Sequence, residues 1–157
     1  MRKKLAVAEL CGLIIAAILP LLENMFIWTT YSYITSKNYS KKGMSLNNLM
    51  TVQQISGGPF LYYVFYAFII ITAIYCVVQL FSDHSILQNK ATIALPGGSF
   101  ILALIMLIGC DQHTDTFNYR GETRSVAVSW DVLAYIFLIV LAVVFVIECY
   151  KQFKCND

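Results

Sequence analysis

Two carboxylates, Glu9 and Glu23, flank an otherwise uncharged apolar stretch near the start of the chain. With Gly12, Ala16 and Pro20 they fall within roughly a 60° sector of a helix that turns about 100° per residue, while leucine, isoleucine and methionine fill much of the rest. Such a stripe is either a polar path or ligand groove with a carboxylate at each mouth, or a packing face whose end carboxylates pair with Lys3, Lys4 or Lys151. Ala8, Gly12 and Ala16 also form a small-xxx-small series that lets another helix approach closely. The packing reading is preferred, because ionisable groups mark function chiefly when they lie deep in a membrane. Residues 12–21, 65–76, 96–105 and 137–146, the middles of the four apolar runs, hold no Asp, Glu, Lys, Arg or His. That argues against a pump.

Cys110, His113 and Asp115, with Asp111 beside them, are of types that bind zinc or copper. No second spaced pair accompanies them, and His84 falls in a different link, so a solvated turn is the plainer reading and neither metal nor other cofactor is expected. The five cysteines include no Cys-x-x-Cys, so the quinone-linked disulfide oxidases are not matched. Glu9, Glu148 and the cysteines near them share one end of the helices without a spacing that sets up an acid and a base. With no nucleophile and base pair, phosphate loop or metalloprotease motif, the chain reads as a non-enzyme.

The elements that must position these groups are set by composition. Of 157 residues, 59% are hydrophobic and 13% charged, against about half and about a quarter in soluble domains. A water-soluble enzyme and a disordered chain are both excluded. The net charge of +2 comes without a basic stripe interleaved with aromatics, so nucleic acid is not an expected partner.

Four apolar runs are long enough to cross a hydrocarbon core of about 30 Å as helices. They cover residues 5–28, 59–81, 91–110 and 132–150, with outer loops at 29–58 and 111–131, all within one membrane domain spanning 1–157. The first run is too long for a signal-peptide core and has no small-residue cleavage site, so it is read as a retained helix. Arg2, Lys3, Lys4, Lys90, Lys151 and Lys154 abut helix ends on one side. Lys37, Lys41, Lys42, Arg120 and Arg124 sit mid-loop or among acids on the other. This places both termini in the cytoplasm of a multi-pass cell-membrane protein. Trp28, Tyr62, Tyr63, Tyr66 and Trp130 then form an outer aromatic belt.

Residues 29–35 (TTYSYIT) and 125–129 (SVAVS) alternate as strands do. They emerge at the same face and are expected to pair in a small extracellular β-sheet. Ser45 is placed to cap a short helix that puts Leu46, Leu49 and Met50 on one side. Pro96, Gly97 and Gly98 near the start of the third run read as a helix-start device.

A four-helix bundle with strands leaving the first helix and entering the fourth resembles the claudin-type layout, and that of many small four-span bacterial proteins. The claudin first-loop signature, a Trp followed by Gly-Leu-Trp and a cysteine pair, is absent, so the likeness implies layout and carries over no residue. The stretch Ala8-Glu9-Leu10-Cys11-Gly12 resembles the setting of the helix-one glutamate in small four-span multidrug exporters. Those lack a first loop of about thirty residues.

The expectation is therefore an all-α membrane protein, a four-transmembrane-helix bundle with a small outer sheet. It would act through contacts with a membrane-protein partner or with itself, as an accessory subunit, immunity-type factor or homo-oligomer, with Tyr31, Tyr33 and Trp130 on the outer contact face. The alternative is a small-solute transporter or channel using the Glu9–Glu23 stripe.

Overall fold

The computed structural model describes residues 2–32, 38–53, 58–81, 90–111 and 114–154; the side chains of Asn38, Tyr39, Lys90 and Lys154 are outside that description. Four helices carry the chain: α1 (Arg2–Ile18), α2 (Gly58–Phe81), α3 (Ala94–Asp111) and α4 (Val132–Lys154). Together with the adjoining short 3-10 turns Leu19–Leu21 and Lys90–Ile93, they provide four stretches, Arg2–Leu21, Gly58–Phe81, Ala91–Asp111 and Val132–Phe153, of 20, 24, 21 and 22 residues, long and apolar enough to cross a membrane. They pack in a ring, α1 on α2, α2 on α3, α3 on α4 and α4 on α1.

The ring closes over a core of Leu13, Ala16, Phe65, Ile69, Ala103, Met106, Phe137, Leu141 and Val144. Phe65 and Phe137 meet edge to face at 5.6 Å, the arrangement an aromatic quadrupole favours. The outward faces are just as apolar: Ile14, Ile70, Ile74, Ile101, Ile139 and Val146 are each more than half exposed. An exposed apolar girdle on all four helices suits hydrocarbon and not water. Polar side chains inside the bundle satisfy themselves locally, Thr72 donating to the Phe68 carbonyl and Ser99 to that of Leu95.

The first apolar run does not stay helical to Trp28. Pro20 sits in the turn that ends the helix, Leu22 is extended, and Asn24 takes a left-handed φ of 71°, a conformation asparagine tolerates better than most residues. Strand β1 (Phe26–Ser32) begins two residues later. Hydropathy alone reads Met25-Phe26-Ile27-Trp28 as more span, yet these residues are aromatic or β-branched in part. Met25 and Phe26 are fully buried where the sheet meets the bundle. The Ala17 carbonyl near the helix end accepts a 2.7 Å hydrogen bond from the Tyr66 hydroxyl, which meets one of the acceptors a helix terminus leaves open.

The sheet has β2 (Asn38–Met44), β3 (Thr114–Tyr119) and β4 (Glu122–Trp130) as its other strands, in the order β2-β1-β4-β3, all antiparallel. The expected pairing of the two loops is present, with Thr29 opposite Ala127 and Tyr31 opposite Ser125. Arg120 and Gly121, both with positive φ, make the two-residue turn joining β3 and β4, the geometry that matches strand twist. Ser45 Oγ accepts from the Asn48 amide at 3.1 Å, and the helical turn it caps buries Leu46, Leu49 and Met50. Pro96 lies in the first turn of α3 and does not break it. An added Cβ on Gly98 would come 2.5 Å from Phe68, so the glycine sets how closely α3 meets α2.

Candidate functional site

The described residues bring their buried charges together in one place, at the end of the bundle where α1 begins and α4 ends. Glu9 and Lys151 are fully buried and form a direct ion pair. Lys151 also holds Glu148, one helical turn back, with 2.5 Å between its Nζ and Glu148 Oε2. Three of the four helices take part, because Lys151 Nζ donates to Gln79 Oε1 on α2 at 2.7 Å. The fourth is reached through the turn preceding α3. There Thr92 donates to Glu148 Oε1 at 2.7 Å. Gln152 Nε2 donates to the same oxygen, also at 2.7 Å, and lies 3.2 Å from the Tyr75 hydroxyl.

The α4 residues occupy this site because positions three and four apart in a helix lie on one face. Glu148, Lys151 and Gln152 follow that spacing, and all three are buried. On α1 the buried series is Ala6, Glu9, Leu13 and Ala16, so the carboxylate rides on the core-facing stripe. Glu9 lies seven residues into α1, or about 10 Å along the axis, and Glu148 about 9 Å before the end of α4. The site thus sits one to two turns inside its end of the bundle.

The two carboxylates are not equivalent. Glu148 has Lys151, Thr92 and Gln152 as partners. Glu9 has Lys151 and the neighbouring Cys76 thiol beside it, and no amide or hydroxyl among the described residues donates to its oxygens. The amide nitrogen of Gln79 is likewise buried without an acceptor. Two carboxylates against one ammonium leave the cluster with a formal surplus of one negative charge among the described residues.

The stripe anticipated on α1 is only partly realised. Glu9, Ala16 and Pro20 are buried. Gly12 lies at the edge of that face, where an added Cβ would come 2.6 Å from Val144 Cγ2 of α4. Glu23 is exposed beyond the helix and does not join Glu9. Ala8, Cys11, Gly12 and Ile15 line an apolar groove of about 380 Å³ against Ile139, Val143 and Val144. Of the three lysines proposed as partners for Glu9, Lys151 is the one it meets.

The other sequence candidates separate. Cys110 is fully buried and turns inward, its Sγ 3.7 Å from Met50 Sδ, whereas Asp115 is exposed on β3. His113 and Tyr33 lie outside the described residues. Among the described residues no three metal-binding side chains gather. Tyr31 is half-buried on β1. Trp130 is committed within the molecule: its Nε1 donates to the Leu107 carbonyl at 2.9 Å and its ring meets Tyr135 edge-on at 5.3 Å. It therefore anchors the sheet to α3. Of the tyrosines assigned to the outer belt, Tyr63 is exposed, while Tyr62 is buried and Tyr66 is tied to Ala17.

Gln79, Thr92, Tyr75 and Gln152 were not singled out from sequence. The available signal was the grouping of polar residues, Gln79 and then Glu148, Lys151 and Gln152, in the last turns of two otherwise apolar helices. Compared with known protein families, curated proteins and solved structures, the chain matches none.

Proposed function

We propose that this chain is a multi-pass cell-membrane protein without enzymatic activity, whose output is a contact with a second membrane protein or with another copy of itself. In this reading the termini are cytoplasmic and the sheet stands on the outer face. The claudin-like element of the layout is the pairing of a strand that leaves α1 with one that enters α4.

The observation that carries the reading is strand β3. All six of its residues, Thr114 to Tyr119, are exposed, and it forms one edge of the sheet. Phe117 and Tyr119 are 40% and 43% exposed there, and the Arg124 guanidinium lies 4.4 Å from the centre of the Tyr119 ring. An exposed edge strand with aromatic side chains is a template for another strand. This adds the neighbouring hairpin to the contact face expected around Tyr31, Tyr33 and Trp130. Against a transport path along α1 stands the engagement of Glu9 by Lys151, which occupies the carboxylate such a path would use.

The test is a photo-crosslinking residue placed at Phe117 or Tyr119 in native membranes. One discrete species, containing this chain twice or this chain and one other membrane protein, is expected, and Phe117→Ala with Tyr119→Ala should weaken it. Absence of any protein adduct from β3, together with thermal stabilisation of the purified protein by a small solute that is lost in Glu9→Gln, would replace this reading with the transporter.

A further inference from the structure

The cluster of Glu9, Glu148 and Lys151 has a charge balance that its own side chains do not close. Both carboxylates and the ammonium are buried, and an uncompensated charge in such surroundings is strongly disfavoured. The described groups around Glu9 and its partners Glu148 and Lys151 come from each packed element. From α2 they are Tyr75, Cys76 and Gln79; from the turn before α3, Thr92; from α4, Glu148, Lys151 and Gln152, with Cys149 next to Glu148. Among these Lys151 is the one cation. The side chains of Lys90 and Lys154 are outside the described residues.

We propose that this cluster is a reversible proton-binding site, with one proton taken up from water by the Glu9 carboxylate as the counter-charge to the second carboxylate. The step is a simple transfer: hydronium gives a proton to a Glu9 oxygen, an O–H bond forms, and water is released. Glu9 is the acceptor because both carboxylates share Lys151, but Glu148 Oε1 also accepts from Thr92 and Gln152, while Glu9 has beyond Lys151 only the Cys76 thiol beside it among the described residues. A hard metal cation fits less well, since it needs a shell of about six oxygens and Lys151 already contacts both carboxylates. The second mark of a site is Gln79. Its Oε1 accepts from Lys151, so its amide is turned into the cluster, yet its buried nitrogen has no acceptor. A water arriving with the proton supplies one, at a cost in immobilisation that is small. Loss of the proton leaves two carboxylates on one ammonium and loosens α1 from α2 and α4, which makes helix packing at this end responsive to pH.

The experiment is infrared difference spectroscopy on the purified protein in phosphatidylcholine nanodiscs, paired with melting curves across pH. The wild type should show the carbonyl stretch of a protonated carboxylic acid at neutral pH, shifted down in heavy water. Glu9→Gln should lose it. Glu148→Gln should lose it too, because Glu9 then pairs one to one with Lys151, and this variant carries the test if the first does not fold. The folded wild type holds a proton that the unfolded chain releases above the ordinary carboxylate range, so its melting temperature should fall as pH rises from that range through neutral, a fall that both variants should lack. No acid band in the wild type, or a band that survives in both variants, overturns the proposal. Stabilisation by sodium or potassium over choline at constant ionic strength would also overturn it, by assigning the site to an alkali ion.

Discussion

Lys151 is the side chain on which the buried charges depend, since it is the partner shared by Glu9 and Glu148. Removing it and removing one carboxylate are therefore not symmetrical changes. Lys151→Met should strand the buried charge of Glu148 without its ammonium and destabilise the protein by about 3 to 5 kcal/mol, the usual cost of breaking a buried pair. Glu9→Gln leaves a neutral Glu148–Lys151 pair and should cost far less. Chemical or thermal unfolding of the two variants in the same detergent checks this, and equal losses would contradict it. Sequence reading reached part of this site. Glu9 stood out as a charge in an apolar run and Lys151 was among its candidate partners. Gln79, Thr92 and Gln152 did not stand out, because the hydrogen bonds that unite them join positions 56 to 77 residues apart, and no periodicity relates such positions.

At the scale of elements, α1 shows where pattern reading succeeds and where it stops. The small residues were legible as a close-packing feature, yet the helix is rotated so that Ala8 is exposed and Gly12 sits at the seam with α4. A stripe defined from one helix gives an angle but not the neighbour it faces. Gly12→Leu should wedge α1 from Val144 and destabilise by about 1 to 3 kcal/mol, as overpacking does. Ala8→Leu, pointing outward, should be close to neutral. Melting temperatures of the two variants distinguish this orientation from one in which the whole Ala8–Gly12–Ala16 series is buried. The end of α1 was misread for a related reason: hydropathy counts Met25 to Trp28 as span, and only the turn at Pro20 and the left-handed Asn24 divert them into the sheet. The strands themselves were legible, because alternation is a local signal, and their pairing followed from both emerging at one face.

For the whole molecule the sheet is the strongest constraint. It draws β1 and β2 from the first loop and β3 and β4 from the second, so these strands lie at one end of the bundle, and the start of α1 and the end of α4 lie at the other. The Glu9–Lys151 contact, joining the first helix to the last, agrees with that arrangement. It also ties Lys151 into the bundle, so the orientation reading rests on the other basic residues at that end of the sequence pattern, Arg2, Lys3, Lys4, Lys90 and Lys154. Bilayer insertion with four crossings is the claim on which the rest depends. It is tested most directly by replacing the five native cysteines, introducing Thr116→Cys on β3 or a single cysteine at either terminus, and labelling intact cells with a membrane-impermeant maleimide. Labelling is expected at position 116 from outside and at neither terminus until the cells are opened. Labelling of one terminus together with position 116 in intact cells would contradict it.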